Sequence, residues 1–197
     1  PQGGEWAPMP LDLAAIRDLE AVADQAWPPA EAVTHDGWEL RATGPGIGRR
    51  VNSAAPLTDG SLPLEEKVRA AEGFYRQRDL VPTFKLTAAA RPGALEGYLA
   101  SRGYRVDAPV LILTRPLDPP VAAVPGLPSA PDDQWLATNA AVPSHYGAAP
   151  EAFLDLIDRI RPQKAFAALR DESEVAAIGM AVADGKWVGL FEIGTVP

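Results

Sequence analysis

The chain of 197 residues is long enough for one large domain or two small ones. Hydrophobic residues make up 47% of it, which is enough to build a core and argues against intrinsic disorder. The net charge is −8, whereas nucleic-acid binding needs a surplus of Lys and Arg, so no nucleic-acid partner is expected. No cysteine is present and there are two histidines, so we expect neither a disulfide nor a metal site.

No apolar run approaches the roughly 18 to 20 residues that a membrane helix needs, and no signal peptide is visible. We therefore expect no membrane partner and a cytoplasmic location. Alanine and proline are abundant while lysine is scarce, which is typical of GC-rich coding and indicates a bacterial source.

Helical and strand patterns alternate over the first 117 residues. Residues 44–48 contain three glycines between two strand patterns, which predicts a hairpin turn rather than a phosphate-binding loop at a helix start. Helices are predicted at 11–27, 64–78 and 95–102, and strands at 37–43, 49–57, 82–88 and 110–116.

A proline-rich segment then marks a boundary, and the second part resumes with two helical patterns and three strand patterns. The turn Asp184-Gly185 favours a hairpin, so the three strands predict an antiparallel meander. We expect units at 1–117 and 132–197 with a linker at 118–131. The second-part helices are predicted at 132–139 and 150–160, and the strands at 164–170, 175–183 and 187–196.

Glu192 is the first candidate for a chemical role, because it interrupts an otherwise apolar strand. Period-two alternation would place Glu192 on one face with Leu190 and Gly194, and Phe191 and Ile193 on the other. A carboxylate in such a strand lies near the open end of the sheet or needs a buried partner. It could also accept a proton from an ammonium group.

His145 and Tyr146 follow a proline and precede a glycine, which indicates a loop. Loops at the mouth of a site often carry substrate contacts, so both residues are weaker substrate-binding candidates. Ser53 and Ser144 lack the context of a hydrolase nucleophile, and a structural role is expected for them.

The second part resembles the GNAT superfamily of acyl-CoA-dependent N-acyltransferases. The resemblance rests on the meander and on residues 193–197, Ile-Gly-Thr-Val-Pro, which are similar to the end of the family's fourth strand. It implies that this strand splays at a bulge and that its backbone pairs with the pantetheine arm of acetyl-CoA. The residues that match those backbone positions are Ile193, Gly194 and Thr195.

The family's pyrophosphate-binding loop, Arg/Gln-x-x-Gly-x-Gly/Ala, is expected to follow Pro197. The first part resembles a GNAT unit in its element order, but residues 58–63, Thr-Asp-Gly-Ser-Leu-Pro, lack that glycine motif. The resemblance therefore implies a degenerate first unit, with Arg49, Arg50 and Asn52 as strand residues that face solvent or the second unit.

The resemblance implies an α+β fold of the GNAT type, with a mixed, largely antiparallel sheet flanked by helices and two units in tandem. It implies an N-acetyltransferase that moves an acetyl group from acetyl-CoA to a primary amine by direct attack, with Glu192 as the base. The acceptor would be a small-molecule or peptide amine, and a homodimer is compatible with the sequence.

Two other interpretations stay open. The chain could be a non-catalytic GNAT-like module that binds acyl-CoA as a sensor or dimerises as a scaffold. It could also be a fragment whose sheet is completed by another chain, because an unpaired strand edge at 187–196 would be a liability.

Overall fold

The structure is a computed structural model that describes residues 12–107, 109–117, 126–142, 150–171 and 174–196. His145 and Tyr146 lie outside the described residues, as do Pro197 and residues 118–125 of the predicted linker. The helices are α1 (Leu13–Ala26), α2 (Leu64–Arg76), α3 (Leu95–Ser101), α4 (Asp133–Ala141) and α5 (Pro150–Arg159), and the strands are β1 (Glu31–His35), β2 (Trp38–Ala42), β3 (Ala54–Pro56), β4 (Gln163–Asp171), β5 (Glu174–Asp184) and β6 (Trp187–Thr195).

α1 starts and stops where its sequence predicts. Asp12 is the N-cap, and its carboxylate accepts hydrogen bonds from the backbone N–H of Ala14 at 2.9 Å and of Ala15 at 3.3 Å. The helix ends just before Pro28-Pro29, as expected for a residue pair that cannot continue it. α2, α4 and α5 also form within a few residues of their predicted bounds.

The first sheet has the order β1-β2-β3 and is antiparallel. The predicted hairpin is confirmed, with Trp38 opposite Pro56, but its second strand is shorter than predicted. Residues Arg49–Val51 form a 3₁₀ turn instead of a strand, so the expectation of strand residues there is wrong. β1 is absent from the sequence-based prediction because four of its five residues are exposed and no apolar alternation marks it.

Two other predicted strands do not form. The segment 82–88 contributes a parallel bridge between Phe84 and Ala54, because β3 offers it only the N–H and C=O of Ala54. The run at 110–116 pairs with no strand in the described part of the chain, and Leu111 is 88% exposed. β-branched and apolar composition favours a strand, but a strand also needs an edge to pair with.

The predicted meander of the second part is confirmed. β4, β5 and β6 form an antiparallel sheet in that order, and Gly185 has the positive φ (+56°) that a tight turn favours. The backbone N–H of Phe166 donates to the carbonyl of Pro128 at 2.9 Å, which brings the chain before α4 against β4.

Each sheet has its own group of buried apolar side chains. Trp38, at 0% exposure, lies in the group between the first sheet and α2. The second group lies on the helix side of β4–β6, and it includes residues from both halves of the chain, 12–117 and 126–196. The first half contributes Ala26, Trp27, Ile47 and Val51 to this second group.

The packing between the two halves is therefore continuous at the end of α1 and at the 3₁₀ turn. The domain boundaries at 117 and 131 stay a prediction. None of the helices in the described ranges is both long enough and apolar enough to cross a membrane.

Candidate functional site

β6 contains a β-bulge near its C-terminal end. Phe191 pairs with Met180 and Gly194 with Ile178, so Glu192 and Ile193 stand opposite a single residue of β5. Glu192 has a φ of +49°, in the left-handed region, which costs a non-glycine residue roughly 1 kcal/mol. Backbone strain of this kind clusters at functional sites, and it coincides here with the carboxylate singled out by the sequence.

The bulge corrects the predicted alternation of faces along β6. Leu190 and Ile193, predicted on opposite faces, line the same apolar groove on the outer face of the sheet. Phe191 packs on the other face, against the second core. The extra residue shifts every side chain after it by one position, which a period-two pattern does not anticipate.

The Glu192 carboxylate lies half-buried beside α4. Its Oε2 accepts a hydrogen bond from the side-chain amide of Asn139 at 2.9 Å, and Asn139 is itself 3% exposed. α4 is held in place by Trp135, whose ring stacks on Phe153 with centroids 6.1 Å apart and whose indole N–H donates to the carbonyl of Ala167 at 3.1 Å. A fixed neutral amide therefore orients the candidate base.

Ile193, Gly194 and Thr195 lie on an edge strand, because β6 pairs with β5 and with no other strand in the described residues. The N–H of Val196 donates to the carbonyl of Ala176 at 3.1 Å, so Val196 faces β5. In an antiparallel strand the neighbouring residue faces the opposite way, so the N–H and C=O of Thr195 point toward the open edge. This edge can accept an extended ligand by strand addition.

Residues of the first half also line one side of the site, a contact that no local sequence pattern predicts. The ring of Phe191 stacks on Trp27 at the end of α1, with centroids 5.5 Å apart and planes 18° from parallel. The guanidinium carbon of Arg50 lies 5.6 Å from the centroid of the same ring. Arg50 therefore faces the second half, one of the two orientations predicted for it.

Asn139 and Arg50 carry no local sequence signal of a role here. The partner of Asn139 is 53 residues away in the chain, and that of Arg50 is more distant still. The buried face of α4 consists of Trp135, Thr138 and Asn139, and a buried side-chain amide needs a partner, which is a feature that could have directed attention to Asn139.

His145 and Tyr146 lie outside the described residues, so their roles stay predictions. The structure brings together Glu192, Ile193, Gly194 and Thr195 on one bulged strand end. In the described ranges, no group of three His, Asp or Glu side chains is placed to hold a metal ion.

In the first half, the loop before α2 binds the carboxylate of Asp36, a residue of the same chain. The Asp36 carboxylate accepts hydrogen bonds from the backbone N–H of Ser61 at 2.8 Å and of Leu62 at 2.9 Å. The buried ammonium of Lys67 lies 3.2 Å from Oδ2 of the same carboxylate. The Ser61 and Leu62 amides, with Lys67, hold the pKa of Asp36 well below its usual range. The loop amides before this helix are thus already occupied.

The mixed α+β architecture, with its antiparallel sheets and a carboxylate at a bulged edge strand, is compatible with an acyltransferase-like fold. The family model described as "Probable histone acetyltransferase Rv0428c C-terminal" matches residues 13–197, and the chain belongs to this family. It is thus an acetyltransferase-like protein.

Among curated proteins, the chain is similar to the probable histone acetyltransferase Rv0428c of Mycobacterium tuberculosis, with 41% identity over 73 residues. The match spans 37% of this chain and 23% of that protein, so the chain covers less than a quarter of its relative. No solved structure matches the chain.

Proposed function

We propose that the protein is an N-acetyltransferase of the GNAT type that moves an acetyl group from acetyl-CoA to a primary amine by direct attack. The observation that carries the proposal is the bulge at Glu192, which sets a carboxylate beside an open strand edge. Membership of an acetyltransferase-like family supports an enzymatic role and implies an acyl-CoA co-substrate in general.

The backbone of Ile193, Gly194 and Thr195 would bind the co-substrate. The outward N–H and C=O of Thr195 can pair with the two amides of a pantetheine arm as a neighbouring strand would. An N–H at the bulge would polarise the thioester carbonyl and stabilise the charge that develops on its oxygen.

Glu192 would act as the general base, directly or through one water. It accepts a proton from the acceptor ammonium, and the freed amine then attacks the thioester carbon. A C–N bond forms, the C–S bond breaks, and the thiolate of CoA leaves; the second proton lost by the attacking nitrogen passes to that thiolate, directly or through water. Asn139 holds the carboxylate in one orientation, which shortens the search for a productive geometry.

The acceptor is a small-molecule or peptide amine. The net charge of −8 favours the approach of a cationic amine, and His145 and Tyr146 are proposed as acceptor contacts. The similarity to a protein named as a probable histone acetyltransferase makes lysine side chains of basic peptides reasonable candidates. The same proposal includes two units in tandem, in a bacterial cytoplasmic protein.

The first test is a calorimetric titration of the intact protein with acetyl-CoA, followed by an assay of CoA thiol released in the presence of primary amines. The amine panel should contain polyamines, amino acids and lysine peptides. Binding together with amine-dependent release is the expected result. No binding at millimolar acetyl-CoA would exclude the transferase.

The alternative is a non-catalytic module that senses acyl-CoA or serves as a scaffold. It is favoured in the first half by Asp36, whose carboxylate occupies the loop amides of Ser61 and Leu62 just before α2. Binding of acetyl-CoA without transfer to any amine in the panel would select this alternative.

A further inference from the structure

We infer that Arg50 is a ligand-binding residue of the β6 site and that it receives an anionic oxygen group, a carboxylate or a phosphate. The inference rests on the proposed function for the identity of the ligand as acetyl-CoA or an amine acceptor. Its geometric basis is independent of that function, because it depends on how the first half presents Arg50 to the bulged strand.

The 3₁₀ turn that carries Arg50 is fixed by the side chain of Asn52. The Asn52 amide nitrogen donates to the carbonyls of Gly44, Ile47 and Gly48 at 2.8, 2.7 and 3.3 Å. Its Oδ1 accepts from the backbone N–H of Thr43 at 2.8 Å and also from that of Gly44. Every hydrogen-bonding position of a buried carboxamide is thus used to shape this turn.

The same turn is anchored in the second core at both ends. Ile47 precedes Arg50 and is 4% exposed, and Val51 follows it at 0% exposure. Both side chains belong to the apolar group on the helix side of the second sheet. Arg50 is therefore held against β6 by packing, and its guanidinium needs little ordering when a ligand arrives.

The guanidinium of Arg50 is half-buried and has no carboxylate of the described residues within ion-pair distance. The adjacent Arg49 shows the contrast, because its guanidinium pairs with Asp107 at 2.8 Å and both side chains are exposed. The chain has a net charge of −8, yet the Arg50 guanidinium has no carboxylate partner among the described residues. Its N–H donors are therefore available to a ligand. The planar guanidinium, with its paired N–H donors, matches a carboxylate or phosphate in shape and charge.

The Arg50 guanidinium lies next to the strand segment that carries the candidate base. Arg50 lies over Phe191, which directly precedes Glu192 in the strand. A ligand held by its anionic group at Arg50 would therefore extend along the bulge toward Glu192. Two ligands could supply the group: an acceptor that carries a carboxylate as well as its amine, or the phosphates of the co-substrate.

The experiment uses the intact protein labelled with ¹⁵N-arginine and follows the guanidinium signals of Arg50 and Arg49. The two members of each probe pair differ only in the anionic group. L-lysine is compared with its decarboxylated form, cadaverine, and 4′-phosphopantetheine is compared with pantetheine, which lacks the phosphate. Affinities are measured in the same titrations for Arg50→Gln, Arg50→Lys and the matched control Arg49→Gln.

The expected result is a saturable shift of the Arg50 signal with the anionic member of one pair and a smaller shift with its partner. Arg50→Gln should weaken binding of that member by about tenfold or more, since it removes a charge-assisted hydrogen bond. Arg50→Lys should restore part of the affinity, and Arg49→Gln should leave it unchanged. The pair that responds identifies the source of the anion.

The inference is overturned if neither pair discriminates between its members at Arg50, or if Arg49→Gln has the same effect as Arg50→Gln. These readouts do not require turnover. A discriminating Arg50 signal without acetyl transfer would retain the anion site and reject the transferase. If acetyl transfer occurs and Arg50→Gln does not change its rate, the transferase is retained and the anion site at Arg50 is rejected.

Discussion

Asp36 in the first half and Glu192 in the second are acidic residues in the same unusual backbone conformation, with φ values of +45° and +49°. Asp36 directs its carboxylate to two loop amides and a buried ammonium. Glu192 directs its carboxylate to the neutral amide of Asn139 beside an open strand edge. The first arrangement offsets the negative charge with a lysine and two backbone amides, whereas in the second a side-chain amide orients the acid beside the bulged edge strand.

The two sheets differ in a corresponding way. In the first sheet an isolated bridge to Phe84 covers part of β3 and β1 is an edge strand among the described residues, whereas in the second sheet the edge strand β6 carries the bulge at Glu192. Under the proposed function, the first half supports the site and the acetyl transfer takes place in the second half. Four predictions test this division, beginning with the largest effect.

Replacement of the two carboxylates should separate their roles. Glu192→Gln keeps a side chain of similar size but removes the base, so the rate of acetyl transfer should fall by about 100-fold or more. Asp36→Asn should leave that rate near the wild-type value. Release of CoA thiol under saturating substrates measures both, with the exposed Glu174→Gln as control. Equal losses for the two variants would contradict the division.

Trp27→Ala should show that packing by the first half stabilises the second half. Trp27 is 2% exposed and contacts both Phe153 and Phe191 in the second core. Removing the indole leaves a cavity, and we expect the free energy of unfolding to fall by about 3–5 kcal/mol. Urea denaturation followed by circular dichroism provides the measurement. A loss below about 1 kcal/mol would mean that the halves are stabilised independently.

The acid sensitivity of the protein should depend on Asp36. Its pKa is lower in the folded protein than in the unfolded chain, so its stabilising contribution is complete above about pH 4 and declines as the pH falls further. Asp36→Asn lacks this contribution. The difference in Tm between wild type and variant should be largest near pH 7 and shrink toward pH 3. A difference that grows on acidification would refute the assignment.

The smallest effect is expected at the surface pair on α2. Arg69 and Glu65 are one turn apart, and their side chains are 64% and 60% exposed. Solvent screens such a pair, so Arg69→Ala should lower the free energy of unfolding by no more than about 0.5 kcal/mol. The same denaturation measurement serves here. A loss comparable to that of Trp27→Ala would show that the burial of a side chain does not predict its contribution to the free energy of unfolding in this fold.

Much of the second half could be predicted from the sequence because its strands are long and its turn is marked by Asp184-Gly185. The family resemblance implies a bulge on this strand, but its position at Glu192 could not be predicted, because period-two alternation continues unbroken through that residue. β1 was not predictable, because it depends on pairing with β2 and not on an apolar pattern of its own.

The candidate site was predictable in part. Glu192 stands out as a charge in an apolar strand, and the strand end around Thr195 follows from the family resemblance. Arg50 and Asn139 could not be found this way, since each is defined by a contact with a distant segment. Local patterns report the backbone, whereas these two roles arise from tertiary packing.

The carboxamide of Asn52 fixes the 3₁₀ turn through which the first half packs against the second sheet. One nitrogen supplies the hydrogen atoms for three carbonyl oxygens at once, those of Gly44, Ile47 and Gly48. Exchange of that nitrogen for oxygen, as in an aspartate, would set lone pairs against lone pairs and add a negative charge among them. Ile47 and Arg50 would lose their common frame. One of the two contacts between the halves therefore depends on the identity of a single side-chain atom.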